Sequence, residues 1–302
     1  MSNESLSLTA LTELKVMRMQ ACDTLQRHSR QRLIYALDTA LELLSIEKPR
    51  TRTAAKQRGL IQTIVSSPSK RSHLAGVRYL ARTSPIETQI VGRWFECTTP
   101  VCTWAHYAST LTLGELIVLA ESMMRRDKRL KRAGINDFLR YLQQARQFSG
   151  IRKCRLALRV VQENTDSSME TRTRLVLMRY GLPAPVVNYE LHLSGRARPL
   201  FIDMAYPELK IAIEYDGNHH RFSSAQVLAD DKRREMIEDA DWLYIKVTFV
   251  DLQSEAGEER LAQRVATAME KTTKKPIPLE PRLTIEQVCD GHRLRRKPPW
   301  AR

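Results

Sequence analysis

The chain has 302 residues, which is enough for one large domain or two modest ones. Its apolar content of 42% suits an ordinary globular protein, whereas 49 Lys and Arg against 34 Asp and Glu give a net charge of +15. This excess favours a polyanionic partner, most often nucleic acid, although a basic surface without a specific partner gives the same composition.

Membrane and secretory features are not evident in the sequence. No apolar run approaches the roughly 20 residues of a spanning helix, so we expect no membrane partner. Residues 1–5 lack the basic region and apolar core of a signal peptide. The five cysteines are widely spaced and fit reduced thiols better than a disulfide framework, and no second Cys pair completes a zinc site. We therefore expect a cytoplasmic protein.

The N-terminal region, residues 1–150, carries mainly helical patterns. Leucines at helical spacing predict helix from residue 6 to about 46, ended by Pro49. Strands are predicted over 61–65 and 90–95, and helices over 104–111, 113–124, 138–142 and 154–158. The expectation is a helical, winged-helix-like region with a small β element. Because it lacks a cluster of acids or histidines, we expect it to bind DNA or a protein partner rather than to catalyse.

From residue 166 the pattern changes to alternating helices and strands. A Ser-capped helix over 169–180 ends at Gly181. The next elements are strands over 186–193, 200–204 and 209–215, a charged helix over 225–240, a strand over 242–248 and a helix over 255–271. The order α-β-β-β-α-β-α makes the chain an α+β protein.

The tail, residues 273–302, contains five prolines and a basic C-terminal end. We expect it to be irregular or partly disordered. Arg295 and Arg296 in this tail are expected to add electrostatic affinity for nucleic acid.

Acidic side chains gather on two neighbouring predicted strands. Asp203 lies on one, and Glu214 and Asp216 lie on the next, where strand alternation points both to one face. Converging carboxylates are costly unless a cation compensates them, and Mg²⁺ or Mn²⁺ takes carboxylate oxygens. The alternative is an exposed strand end with solvated acids, which the apolar residues 209–213 disfavour. Glu170 either complements its helix dipole or reaches the same metal site.

Further polar residues surround these acids in the sequence. His219 and His220 follow directly, and one of them can transfer a proton near neutral pH, unless the pair merely forms a surface turn. Asp230 and Arg233 lie one helical turn apart, so Arg233 either pairs with Asp230 or contacts a phosphate. Lys246 on the last strand is another candidate phosphate contact.

Together these motifs resemble the PD-(D/E)xK nuclease superfamily, and within it the DUF559-type domain related to very-short-patch mismatch repair endonucleases. The resemblance covers about residues 165–272 and implies a restriction-endonuclease-like αβββαβ core. The matching segments are Ser168-Met-Glu170-Thr-Arg, Gly181-Leu-Pro183, Asp203-Met-Ala-Tyr-Pro207-Glu-Leu-Lys, Glu214-Tyr-Asp216-Gly-Asn-His219-His220, Asp230-Asp-Lys-Arg233 and Trp242-Leu-Tyr-Ile-Lys-Val-Thr248.

The resemblance implies an endonuclease that hydrolyses DNA phosphodiester bonds with Mg²⁺ or Mn²⁺. It assigns metal binding to Asp203 and Glu214, the helix-borne acid to Glu170, and proton transfer near the scissile phosphate to the pair His219–His220. Asp216 stands where the superfamily motif has Lys, which puts the usual Lys role in doubt and leaves Asp216 as a further candidate metal ligand.

The first 150 residues diffusely resemble AbiEi-type antitoxin regions of actinobacterial proteins, without a catalytic motif. Two other functions therefore stay open, because a fold does not determine an activity. One is a DNA-binding regulator or antitoxin-like protein whose nuclease fold is inactive. The other is a structural partner in a defence or mobile-element complex.

Overall fold

The computed structural model describes residues 6–51, 59–72, 74–82, 86–145, 147–217, 224–294 and 298. The chain divides into two compact units, with the boundary between Glu163 and Asn164. Each unit combines helices with its own β-sheet, so the predicted α+β class is confirmed. None of the described helices is both long and apolar enough to cross a membrane.

The N-terminal unit contains six α-helices, a short 3-10 helix (Pro68–Lys70) and five strands in its described residues. In chain order the α-helices and strands are α1 (Leu8–Arg27), β1 (Ile34–Tyr35), α2 (Leu37–Leu43), β2 (Ile61–Val65), β3 (Val77–Ala81), β4 (Thr88–Val91), β5 (Phe95–Thr98), α3 (Pro100–Tyr107), α4 (Leu113–Met123), α5 (Ile135–Gln144) and α6 (Ile151–Ala157). The strands form one sheet in the order β3-β2-β1-β5-β4. A buried core under the helices includes Trp104, whose Nε1 donates to the Leu116 carbonyl at 2.8 Å.

Two predictions for this unit are wrong. The single helix over 6–46 is interrupted, because β1 pairs with β2 and β5 between α1 and α2. The leucine spacing continues across this break, because Leu33, just before β1, and Leu41, on α2, are both buried. The strand over 90–95 is a hairpin of β4 and β5, which turns at Gly92 with φ of 63°. The sequence also missed β3, whose residues are all half-buried and show no alternation.

The C-terminal unit has the predicted order of elements. They are α7 (Ser168–Arg179), β6 (Val186–Leu191), β7 (Leu200–Tyr206), β8 (Ile211–Asp216), α8 (Ser224–Glu238), β9 (Leu243–Thr248) and α9 (Glu255–Thr273), followed by the short helices α10 (Ile285–Val288) and α11 (Gly291–Leu294). The sheet order is β6-β7-β8-β9, antiparallel except for the parallel pair β8–β9. Residues from α7 and α9 cover one face and residues from α8 the other.

The tail is irregular over 274–284, which agrees with the first of the two alternatives expected for it, and its described part packs against the unit. Ile277 is buried in the core beneath α7 and α9. The backbone N–H groups of Glu280 and Leu283 donate to the carbonyls of Tyr180 and Arg179 at the end of α7, at 2.9 and 2.8 Å. This segment therefore belongs to the C-terminal unit.

Candidate active site

The strand register brings the predicted acids together. Met204 on β7 pairs with Ile213 on β8, which places Asp203 directly opposite Glu214. Asp216 lies two residues beyond Glu214 on the same face of β8. Asp203 lies within β7 rather than at its end, because the strand continues to Tyr206.

Glu170 joins this cluster from the first turn of α7. The Ser167 side chain caps the helix by accepting from the Glu170 N–H at 3.1 Å, and the Glu170 carboxylate accepts from the Asp166 N–H at 2.9 Å. Glu170 is buried, and burial together with repulsion from Asp203 raises its pKa well above the usual range. The position of Glu170 is therefore compatible with both expected roles, complementing the dipole of α7 and reaching the proposed metal site.

Asp203 is half-buried and held by the backbone of the next strand. Its Oδ2 accepts from the Tyr215 N–H at 2.9 Å. Burial, and then the neighbouring Glu214 carboxylate, raises the pKa of Asp203 to about 7, against the opposing effects of the Tyr215 N–H and Arg233. Within the described residues its Oδ1 accepts no hydrogen bond, so this oxygen is open to a ligand.

Glu214 is paired with Arg233 of α8. The Arg233 Nε donates to both carboxylate oxygens, at 3.1 and 3.2 Å, and its Nη2 contacts Oε1. The same Nη2 also donates to the Phe201 carbonyl, and the Tyr244 hydroxyl donates to Glu214 at 3.4 Å. The sequence placed Arg233 either on Asp230 or on a phosphate, and it gave no signal for its contact with Glu214, 19 residues earlier.

Asp216 is bound by Lys246. The two strands run parallel here, with Glu214 beside Lys246 and Asp216 beside Thr248, and the Lys246 Nζ contacts the Asp216 carboxylate. Lys246, predicted as a phosphate contact, therefore places its ammonium group beside Asp216, the residue that stands where the motif of the resemblance has Lys.

A distortion of β6 lies opposite Asp203. Asn188 has a left-handed backbone with φ of 46°, and the ladder between β6 and β7 skips the pair it would form with Asp203. Its Nδ2 donates to the Asn164 carbonyl at 2.5 Å. Sequence reasoning missed Asn188 because alternation over 186–193 predicts a regular strand.

Four predicted site residues lie outside the described part of the chain. His219 and His220 follow Gly217, the last described residue before α8, and Arg295 and Arg296 follow α11. Their proposed roles stay predictions.

The donor chemistry of the cluster fits a hard divalent ion, which carboxylate oxygens bind. Within the described ranges, however, no three His, Cys, Asp or Glu side chains form a group ready to hold a metal. The Arg233 guanidinium donates to both oxygens of Glu214. Metal binding through Asp203 and Glu214 therefore requires Arg233 to release Glu214.

Comparisons with known proteins find relatives whose names state no activity. No family model matches the sequence, and no solved structure matches it significantly. Two uncharacterized proteins of Mycobacterium tuberculosis, MT2308 of strain CDC 1551 / Oshkosh and Rv2248 of strain ATCC 25618 / H37Rv, are each 30% identical to it over 122 residues. The match covers 40% of this chain and 44% of each relative, so the chain spans less than half the length of these relatives.

Proposed function

We propose that the C-terminal unit is a metal-dependent endonuclease that hydrolyses DNA phosphodiester bonds. The observation that supports this most is the imbalance of charge in the buried cluster. Glu170, Asp203 and Glu214 converge, and in the described residues their ion pairing is limited to the single guanidinium of Arg233. Three carboxylates against one cation leave two negative charges when all are ionised, and a divalent ion matches that charge.

In this proposal Asp203 and Glu214 hold Mg²⁺ or Mn²⁺, with Asp216 as a further ligand. When bound, the ion supplies Lewis acidity to a phosphoryl oxygen and a more acidic water. The Tyr215 N–H holds Oδ2 of the Asp203 carboxylate, and Oδ1 is the oxygen proposed to bind the ion. The pair His219–His220, which follows β8 at once, is proposed to transfer the proton.

Arg233 and Lys246 are the cations beside the scissile group. After Arg233 releases Glu214, the hydrogen bond from the Arg233 guanidinium to the Phe201 carbonyl still holds the guanidinium near Asp203. In that position Arg233 can bind a phosphate oxygen. Lys246 is 45% exposed at its side chain and adjoins Asp216, so its ammonium group is accessible to substrate. Both would stabilise the charge that develops on phosphorus.

The distribution of charge supports DNA as the substrate. Residues 1–163 contain 27 Lys and Arg against 13 Asp and Glu, whereas residues 164–302 contain 22 against 21. The positive excess therefore resides in the N-terminal unit, and we propose that this unit contributes most of the electrostatic affinity for DNA.

A nicking assay tests this function. Purified protein is incubated with supercoiled plasmid and Mg²⁺ or Mn²⁺, beside Asp203→Asn and Glu214→Gln, which keep side-chain volume. Asp241→Asn is the matched control, because Asp241 is an acid of the same unit with a side chain 90% exposed. We expect nicking by the parent and the control, and at least a 100-fold loss in both site variants. Equal nicking by all four proteins would contradict the site.

The pair between Arg233 and Glu214 favours one other function, a DNA-binding regulator with an inactive nuclease fold. Here Arg233 permanently neutralises the acid that a metal would otherwise bind. If the protein is such a regulator, we expect the unmodified protein to bind DNA in a salt-sensitive way and to nick no substrate. Its melting temperature should not change with Mg²⁺.

A further inference from the structure

A basic groove runs along the outer edge of the C-terminal sheet. It has a volume of about 560 Å³ and lies between the edge strand β9, at residues 243–245, and the exposed face of α9. The residues of α9 that line it recur at helical spacing and are Arg260, Gln263, Arg264, Thr267, Ala268 and Lys271. The groove is distinct from the carboxylate cluster, whose acids lie on α7, β7 and β8.

The charge of this groove is unusual for its unit. Basic and acidic residues nearly balance over 164–302, yet the groove lining contains three cations and no acid. The four Glu residues of α9 lie elsewhere on the helix, and Glu258, for example, pairs with Arg179 and Arg282. Arg260 and Lys271 are exposed and form no ion pair with any described residue. Their charges are therefore available to a ligand.

Arg264 has a different role in the groove. Its Nη1 donates to the Lys246 carbonyl at 3.2 Å, and its Nη2 donates to Asp251 at 2.9 Å. The guanidinium thus occupies a backbone acceptor on the free edge of β9, the group that an added peptide strand would need. This contact disfavours strand addition and leaves charge as the main means of recognition.

We propose that this groove binds the phosphate backbone of DNA. The distance along α9 from Arg260 to Lys271 is about 16 Å at 1.5 Å per residue, which corresponds to about five nucleotides of a duplex strand. Gln263 and Thr267 lie between the two cations and can donate to phosphate oxygens. Tyr244 borders the groove and donates to Glu214, so bound DNA would lie one strand from the carboxylate cluster. The inference deepens the proposed nuclease function and rests on it for the choice of DNA.

The experiment compares two double variants of the full chain. Arg260→Gln with Lys271→Gln removes the two available cations of the groove, and Arg196→Gln with Arg198→Gln removes two exposed cations from the β6–β7 connection at the other edge of the sheet. Binding to a fluorescent 20-base-pair duplex is measured in EDTA over a range of KCl concentrations. Melting temperatures establish that both variants are folded.

We expect the groove variant to bind at least tenfold more weakly at moderate salt. Its slope of log K against log salt should be shallower by about 1.8, which is the value for two lost phosphate contacts. The control variant should keep the slope of the parent. Parent-like binding by the groove variant, or an equal loss in both variants, would overturn the proposal.

The EDTA condition separates this inference from the proposed function. If the parent nicks DNA with metal but the groove variant binds DNA as tightly as the parent, only the proposal for the groove is overturned. If the groove variant binds DNA more weakly but the parent never nicks DNA, the groove proposal is supported and the nuclease proposal is refuted.

Discussion

At the scale of single residues, the Asp203 carboxyl group links stability to pH. Burial and the neighbouring Glu214 raise its folded pKa to about 7, whereas an unfolded Asp titrates near 3.9. The unfolded chain therefore releases the proton first as pH rises, and this group lowers the stability of the folded state progressively between about pH 4 and pH 7. Above pH 7 the folded state bears the full destabilisation from the ionised Asp203 carboxylate, unless a cation compensates its charge.

Asp203→Asn removes this cost while preserving an acceptor for the Tyr215 N–H. In EDTA we expect the variant to be more stable than the parent by about 1–3 kcal/mol at pH 8 and equally stable at pH 4. Urea unfolding at both pH values measures this difference. Mg²⁺ should stabilise the parent at pH 8 but not the variant. A variant less stable than its parent at pH 8 would contradict the assigned environment of Asp203.

At the scale of elements, the backbone of β6 departs from regular strand geometry opposite Asp203. Asn188 adopts φ of 46°, which costs about 1–2 kcal/mol for most residues but little for Asn or Gly. Both Asn188→Gly and Asn188→Val lose the hydrogen bond to the Asn164 carbonyl. The difference between these two variants therefore reports the backbone conformation.

We expect Asn188→Val to be about 1–2 kcal/mol less stable than Asn188→Gly, although Val has the higher strand propensity. Thermal unfolding of the two proteins measures the difference. The reverse order of stability would show that β6 is regular opposite Asp203.

The elements of the C-terminal unit could be predicted because local signals mark their ends. Ser167 and Ser254 cap α7 and α9 through their side chains, and apolar residues mark the buried strands β7 and β8. The acids of the site could also be predicted, because Asp203 and Glu214 interrupt those apolar strands. The ion pair of Arg233 with Glu214 could not, since it depends on how α8 crosses the sheet. The strand β1 could not be predicted either, because two residues are too few to show the alternation of a strand.

At the scale of the whole molecule, the two units carry very different charge. Residues 1–163 have an excess of 14 positive charges, and residues 164–302 an excess of one. Each unit has its own sheet, and the carboxylate cluster lies entirely in the second. This distribution of charge assigns most of the proposed DNA affinity, apart from the groove on α9, to the unit that does not carry the proposed chemistry.

The separation predicts distinct behaviour for residues 164–302 produced alone. Cooperative unfolding of this fragment is the first control, since it establishes folding. We expect the fragment to keep Mg²⁺-dependent nicking at high DNA concentration, because the carboxylates and the groove on α9 remain. Its slope of log K against log salt should be shallower than that of the full chain by at least 1.8, the value for two phosphate contacts, because residues 1–163 contribute most of the positive charge. A fragment that binds DNA with the affinity and salt dependence of the full chain would refute the role of the N-terminal unit and assign DNA binding to the C-terminal unit.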